Sequence, residues 1–279
     1  MSTAEEELEN LTVIYEPENF QFTRNATTSQ VSGWYRALPK LPQDCRFLQI
    51  RIAVRSLTRN LPFFIKPQYV RLENLFCKDF FIEYTPPIMV YFTLPPEYPT
   101  GGAVPIISLK CTWLPPERLE AFTEVLTTYL TSRGNEEPCL WDCFDFLETH
   151  FFSSLMQLPR NEEGNCLYNI EEAIAVRRVR EEMLAMMLGY DYVEQRRRFD
   201  ESMVECAICA DEEKLGRECT RLQACGHVAC HECFRMALEA HLADGVVAGV
   251  LRCLECPDFV ELNEVSEIDV LIMTPSKKN

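Results

Sequence analysis

The sequence predicts an α+β fold, and three observations carry the prediction. A helix-periodic segment opens the chain, several β-branched and aromatic runs follow, and two more helical stretches come after them. Together these give helices flanking an antiparallel sheet over residues 1–155. A polar, then strongly helical stretch at 156–200 reads as a helical linker. Beyond it, paired cysteines take the place of a hydrophobic core over 201–262, and 263–279 reads as a tail.

The elements follow in order. Residues 4–16, AEEELENLTVIYE, set Leu8, Leu11, Ile14 and Tyr15 at helical spacing and crowd acids into the first turn, where the helix dipole favours them. Residues 45–57 set Phe47, Ile50, Ile52 and Val54 against Arg46, Gln49, Arg51 and Arg55, the alternation of a strand. The runs at 80–85 and 88–94, FFIEYT and IMVYFTL, are split by Pro86-Pro87 and predict two antiparallel strands joined by a turn. The Pro- and Gly-rich LPPEYPTGGAVP then forms an ordered loop, and ISLKCTW at 107–113 predicts one more strand. A helix is predicted from about Pro115 to Ser132, with Gly134 just past its end and Leu119, Phe122, Val125, Leu126 and Leu130 as its apolar stripe. A second runs from Leu140 to Leu155. Residues 159–168, PRNEEGNCLY, read as linker, and 169–199 as helix, with Gly189 as a break or bend.

Composition narrows the function. The 279 residues carry a net charge of −16, which repels phosphate backbones and speeds encounter with a basic protein partner, so no nucleic-acid partner is expected. No run reaches 18 apolar residues, and the start, with Glu5, Glu6, Glu7 and Glu9, lacks the basic and apolar regions of a secretory signal. A reducing cytoplasm or nucleus is therefore the expected compartment, with no membrane association. There, closely spaced Cys and His read first as metal ligands.

Eight of the fourteen cysteines and three of the four histidines fall between Cys206 and Cys256. Cys206 and Cys209 form a C-x2-C pair; Cys225-Gly226-His227 follows after fifteen residues. Cys230 and Cys233 come next, and Cys253 and Cys256 close the series after nineteen more. Seven cysteines and one histidine fill two tetrahedral zinc sites, and four protein ligands per ion leave no open position for water, so the metal is structural. A segment of about fifty residues with few large apolar side chains needs such staples. Eight ligand-type residues in this order argue against free buried thiols. Spacing alone allows a sequential pairing, starting with Cys206, Cys209, Cys225 and His227, or an interleaved one joining alternate pairs. Cys219 and His231 lie outside the pattern and read as an incidental thiol and an exposed side chain; His241 reads as a helix-surface residue.

This ligand order resembles that of RING fingers. The resemblance implies the interleaved arrangement: Cys206, Cys209, Cys230 and Cys233 on one zinc ion, and Cys225, His227, Cys253 and Cys256 on the other. It also implies docking of a ubiquitin-charged conjugating enzyme through an apolar loop surface, at positions matched here by Ile208 and Leu254. Many RINGs that act alone carry a basic residue after the last ligand; this chain has Pro257, as in the first RING of RING-between-RING ligases. Those ligases load ubiquitin onto a cysteine of a later domain. The chain ends 23 residues after Cys256, so a form lacking that domain, with no catalytic residue of its own, is the expectation.

The segments EELENLTVIYE and IMVYFTLPPEYPTGGAVPIISL, with the helix near Pro116, resemble an RWD domain. Tyr98-Pro99 matches that family's turn; Ala103-Val104-Pro105 departs from its paired prolines. RWD domains share the fold of conjugating enzymes without their cysteine, and nothing around Cys111, Cys139 or Cys143 offers the Asn or His such an enzyme needs. The N-terminal domain is therefore expected to bind a protein substrate or regulator. With FDESMVECAIC, ACGHVACHECF and LRCLECPD, the whole resembles the RWD-containing RING-between-RING ubiquitin ligases from near residue 5 to about 260. The alternative from another class is a non-catalytic adaptor that binds the conjugating enzyme or a transcription-related partner.

Overall fold

The computed structural model describes residues 3–53, 70–74, 77–133, 137–170, 174, 176–222, 225–243, 252–253 and 255–256. The part of the 45–57 strand beyond 53, Gly134, Leu254, Pro257 and the tail at 263–279 lie outside them. The chain divides into two compact units, Met1–Tyr192 and Val193–Asn279.

Unit 1 is α+β. Helix α1 (Ala4–Ile14) starts with a capping box: the Glu6 N–H donates to the Thr3 hydroxyl at 3.2 Å and the Thr3 N–H to the Glu6 carboxylate at 2.7 Å. Leu8 and Leu11 turn into the core. Strands β1 (Phe20–Arg24), β2 (Val31–Ala37), β6 (Ile88–Leu94) and β7 (Ile106–Lys110) form an antiparallel sheet in the order β1-β2-β6-β7. Strands β3 (Leu48–Ala53), β4 (Val70–Asn74), β5 (Cys77–Ile82) and β8 (Cys166–Asn169) form a second sheet in the order β4-β5-β3-β8, with β8 parallel to β3.

The runs on either side of Pro86-Pro87 therefore do not pair with each other. Proline lacks an N–H for a ladder, and the chain uses this break to cross from one sheet to the other. Trp113, fully buried, donates its indole N–H to the Pro86 carbonyl at 2.9 Å and holds the crossing.

Helices α2 (Pro116–Ser132) and α3 (Leu140–Thr149) follow β7, and a π-helical turn, Phe151–Met156, extends α3. In α2 the buried residues are Leu119, Phe122, Leu126 and Leu130, while Val125 of the expected stripe faces water. Phe151, Phe152 and Tyr168 surround Trp113 with ring centroids 5.7, 6.4 and 6.5 Å away.

The stretch read as linker takes part in this core. Its residues Cys166 and Tyr168 are buried on β8. Helix α4 (Arg177–Glu201) passes through Gly189 without a break and buries Met183, Leu184, Met187 and Leu188 in unit 1. Each such side chain contributes roughly 1.5–3 kcal/mol. Asp191 of α4 accepts the backbone N–H groups of Glu83 and Tyr84 at 2.9 and 2.8 Å, just before the prolines.

Unit 2 holds the end of α4, two short hairpins and helix α5 (His231–Ala243). The hairpins pair β9 (Met203–Val204) with β10 (Lys214–Leu215), and β11 (Cys219–Arg221) with β12 (Val228–Cys230). Its described core contains only three large apolar side chains, Phe199, Leu222 and Phe234; most of the rest are cysteines. Gly216 donates its N–H to the Ser202 carbonyl at 2.8 Å, and a Cβ there would overlap the Phe199 carbonyl. Arg196, Arg197 and Arg198 form ion pairs along their own helix with Asp200, Glu194 and Glu201.

Candidate metal centre

Two four-residue clusters stand out in unit 2. Cys206, Cys209, Cys230 and Cys233 form one; Cys225, His227, Cys253 and Cys256 form the other, and within each the ligand atoms lie within 4.8 Å of one another. The pairing is interleaved: each cluster takes alternate pairs along the chain.

Local backbone geometry builds each cluster. The first knuckle turns between β9 and β10, where Ala210, with φ of 55°, donates its N–H to the Cys206 carbonyl at 2.8 Å. The Ala207 N–H reaches the Val228 carbonyl at 2.9 Å, and the Cys230 N–H points at the Cys206 sulfur at 3.3 Å. Cys230 ends β12 and Cys233 lies in the first turn of α5, so strand and helix present their thiols together. In the second cluster Gly226 has φ of 77°, a left-handed conformation that suits glycine, and donates to the Leu222 carbonyl at 2.8 Å. The His227 Nδ1 lies 3.6 Å from the Cys253 sulfur. Val228 and Ala229 of β12 separate His227 from Cys230, three residue steps that put the two ligands about 10 Å apart along the strand.

The donor sets fit a structural divalent metal. Four ligands at the usual zinc–sulfur distance of ~2.3 Å place sulfurs about 3.8 Å apart in a tetrahedron, inside the observed limit. The electrostatics point the same way. Burial and the neighbouring Cys253 and Cys256 push the Cys225 thiol up to about 12, and burial raises Cys230 and Cys233 as well. At Cys206 burial also acts upward, but backbone N–H groups of Cys209, Cys230 and Ile208 outweigh it and bring the thiol down to about 6. Crowded thiols resist joint ionisation, and a bound divalent cation removes that resistance.

Outside the clusters, Ile208 at the tip of the first knuckle is 37% exposed, beside an exposed Cys209. Leu254 lies outside the described residues. Sequence reasoning did not single out Met203 and Met236, which are 57% and 51% exposed in the same unit; their only sequence signal is apolar character at a strand and a helix position. Cys219, read as incidental, is fully buried on β11 opposite Cys230. His231 is partly buried, and His241 has no described surroundings.

In unit 1 the three cysteines nearest the expected conjugating-enzyme region are poor nucleophiles. Burial pushes Cys111 to about 12 and Cys139 to about 11, and raises the fully enclosed Cys143 well above the usual thiol range. The polar centre of this region is a capping network. Glu7, buried, accepts the N–H groups of Leu140 and Trp141 at 2.7 and 3.3 Å and the Tyr98 hydroxyl at 2.7 Å. The Tyr98 oxygen accepts the Cys139 N–H at 2.6 Å. A carboxylate thus satisfies the free N–H groups at the start of α3. Desolvation nevertheless raises the Glu7 pKa, and the hydrogen bonds from Tyr98, Leu140 and Trp141 oppose it.

Comparison with known proteins agrees with this architecture. The chain is 27% identical over 210 residues to the human (Homo sapiens) E3 ubiquitin-protein ligase RNF14, covering 64% of this chain and 43% of that protein. It is 25% identical over 289 residues to the Mus musculus protein of that name, covering 92% of this chain and 54% of the relative. It is 22% identical over 202 residues to the Schizosaccharomyces pombe E3 ubiquitin-protein ligase itt1, covering 72% of this chain and 42% of the relative. The chain thus spans roughly half the length of the curated relatives it matches. No solved structure matches it at a significant level. Among the described residues no helix is long and apolar enough to cross a membrane. The family model for the RWD domain matches residues 2–151, more than half of the sequence, and the chain belongs to the RWD domain family.

Proposed function

We propose that the chain is the recruiting part of a RING-between-RING ubiquitin ligase. In this reading residues 1–155 are the RWD domain and 201–262 a RING finger holding two zinc ions. Cys206, Cys209, Cys230 and Cys233 hold one ion, and Cys225, His227, Cys253 and Cys256 the other. The single observation that carries the reading is the interleaving of the two clusters about β12. Relatives named as E3 ubiquitin-protein ligases support it.

Bound zinc supplies structure and no chemistry on substrate, because all four positions of each ion are filled by protein. The protein's own part is to hold the knuckle tips in place. Ile208, and Leu254 by sequence position, then offer apolar contacts to a ubiquitin-charged conjugating enzyme. The RWD domain brings a protein substrate or regulator, and the working compartment is the cytoplasm, the nucleus or both.

The test combines zinc analysis with discharge of a ubiquitin thioester from a panel of conjugating enzymes. Zinc binding together with faster discharge, lost on Ile208→Ala, supports recruitment of the charged enzyme. Binding of the conjugating enzyme without discharge converts the reading to that of an adaptor. A chain that binds no zinc ends both readings.

A further inference from the structure

The sheet β1-β2-β6-β7 uses one face for the core of unit 1. Its inward residues, among them Tyr35, Val90, Phe92 and Leu109, share that core with Leu8 of α1, Leu126 of α2 and Phe144 of α3. The other face alternates outward along every strand. Trp34 and Tyr91 are direct cross-strand partners on it, and Arg36, Met89 and Lys110 form the next row. Tyr91 is 39% and Ile106 64% exposed. The remaining outward positions are Gln, Ser or Thr, so the face carries two cations and no carboxylate.

That charge pattern runs against the rest of the molecule, which has 43 acidic and 27 basic residues. In unit 1, Arg24, Lys40, Arg51, Arg133 and Arg160 each sit in an ion pair. Arg36 donates only to neutral partners among the described residues, the Asn19 side chain at 3.4 Å and the Tyr190 hydroxyl at 3.5 Å. The Lys110 ammonium lies over the Tyr91 ring, 4.9 Å from its centre. Among the described residues neither cation has a carboxylate partner, and both lie next to exposed aromatic surface.

We propose that this face docks an acidic peptide segment of a partner protein. Arg36 and Lys110 stand two strands apart, about 10 Å, and the Trp34–Tyr91 row lies about 7 Å along the strands from them. The occupant that fits carries two carboxylates at that separation and an aromatic or aliphatic side chain set to one side. The carboxylates compensate the two cations, and the apolar side chain covers the aromatic pair. The surface lies in unit 1 and does not depend on zinc or on ligase activity.

The experiment is a random-peptide display selection on the full chain, with prior depletion on a Lys110→Glu/Tyr91→Ser double variant. Fluorescence anisotropy with the recovered peptides follows. Peptides bearing at least two acidic residues and an aromatic or leucine are expected. Their affinity should fall about tenfold or more with either single variant, and fall again as salt rises from about 50 to about 300 mM. The thermal midpoint of each variant should stay at that of the parent, since both side chains are on the surface. The proposal is overturned if no peptide survives depletion, if the survivors are basic, or if acidic survivors bind the single variants as well as the parent. It is also overturned if sedimentation shows a dimer that Tyr91→Ser dissolves, because a second copy would then be the occupant.

Discussion

Asp191 gives a test of how firmly the helix after the RWD region belongs to unit 1. Its carboxylate accepts two backbone N–H groups, from Glu83 and Tyr84, and it is 6% exposed. Replacing it with alanine leaves both donors without that partner. Hydrogen bonds to a charged group contribute ~1.5–3 kcal/mol each, and the low end applies because Glu83 and Tyr84 are half-buried and water can partly replace the acceptor. The two together give about 3 kcal/mol. Alanine is the better helix former by up to ~0.7 kcal/mol, which reduces the expected net loss to roughly 2–2.5 kcal/mol. For a domain of this size, that lowers the thermal midpoint by about 4–10 °C. In urea, with a slope of ~2 kcal/mol per molar, the midpoint falls by about 1 M. The assay is tryptophan fluorescence, since Trp34, Trp113 and Trp141 all lie in unit 1 and report on it alone. Asp191→Asn keeps one acceptor oxygen and should lose about half as much. If Asp191→Ala moves the midpoint by no more than the ~0.5 kcal/mol of an ordinary surface substitution, the clamp does not hold the helix and the reasoning fails.

Three further outcomes follow from other parts of the molecule. The purified chain should release about two equivalents of zinc when its thiols are modified, and a chelator should leave the tryptophan-detected midpoint of unit 1 in place. Less than one equivalent, or a midpoint that collapses on chelation, contradicts the two-cluster reading. Glu7 should impose a pH dependence of a stated sign. Its folded pKa is raised, so the folded state binds the proton more tightly, and stability falls as pH climbs past the ordinary carboxylate value. Glu7→Gln should remove that component when urea midpoints are compared between about pH 4 and pH 7; an unchanged difference between parent and variant across that range rejects it. Gly216→Ala should destabilise unit 2 by about 2 kcal/mol or more, because the new Cβ meets the Phe199 carbonyl. Faster loss of zinc to a colorimetric chelator measures it, and a loss rate equal to the parent's would count against the close approach.

Some of this was legible from residue order and some was not. The members of both clusters stand two residues apart in sequence or nearly so, and a tight turn brings such neighbours together whatever the rest of the chain does. Helices α1 and α2 announce themselves through first-turn acids, a proline at the start and apolar stripes, although the α2 stripe reading included Val125, which points to water. Strand partners are a different matter. IMVYFTL reads plainly as a strand, yet its neighbours are β2 and β7, tens of residues away or across a loop, and nothing local favours them over the adjacent FFIEYT. Strands β1, β2 and β8 escaped notice because they are short or mixed. In β8 the four residues CLYN hold only two buried side chains, Cys166 and Tyr168. Asp191 looks like any acid on a polar helix until the fold places the Glu83 and Tyr84 N–H groups opposite it.

The clusters also explain why so small a unit can present a fixed surface. Among the described residues of unit 2, three large apolar side chains offset little of the backbone entropy lost on ordering, ~1–2 kcal/mol per residue. With zinc bound as proposed, the two clusters would act as cross-links, and where they meet would decide what is rigid. Strand β12 carries His227 just before it and Cys230 at its end, so a shift at either cluster displaces the other through three extended residues. The first knuckle is tied to that same strand by the Ala207 N–H and through the Cys206 sulfur. Ile208 follows directly on those two attachments, and on its other side the Ala210 N–H closes the turn on the Cys206 carbonyl. Its exposure is thus the exposure of a side chain whose backbone is pinned on both sides, which lets an apolar contact be offered to a partner at little entropic cost on binding.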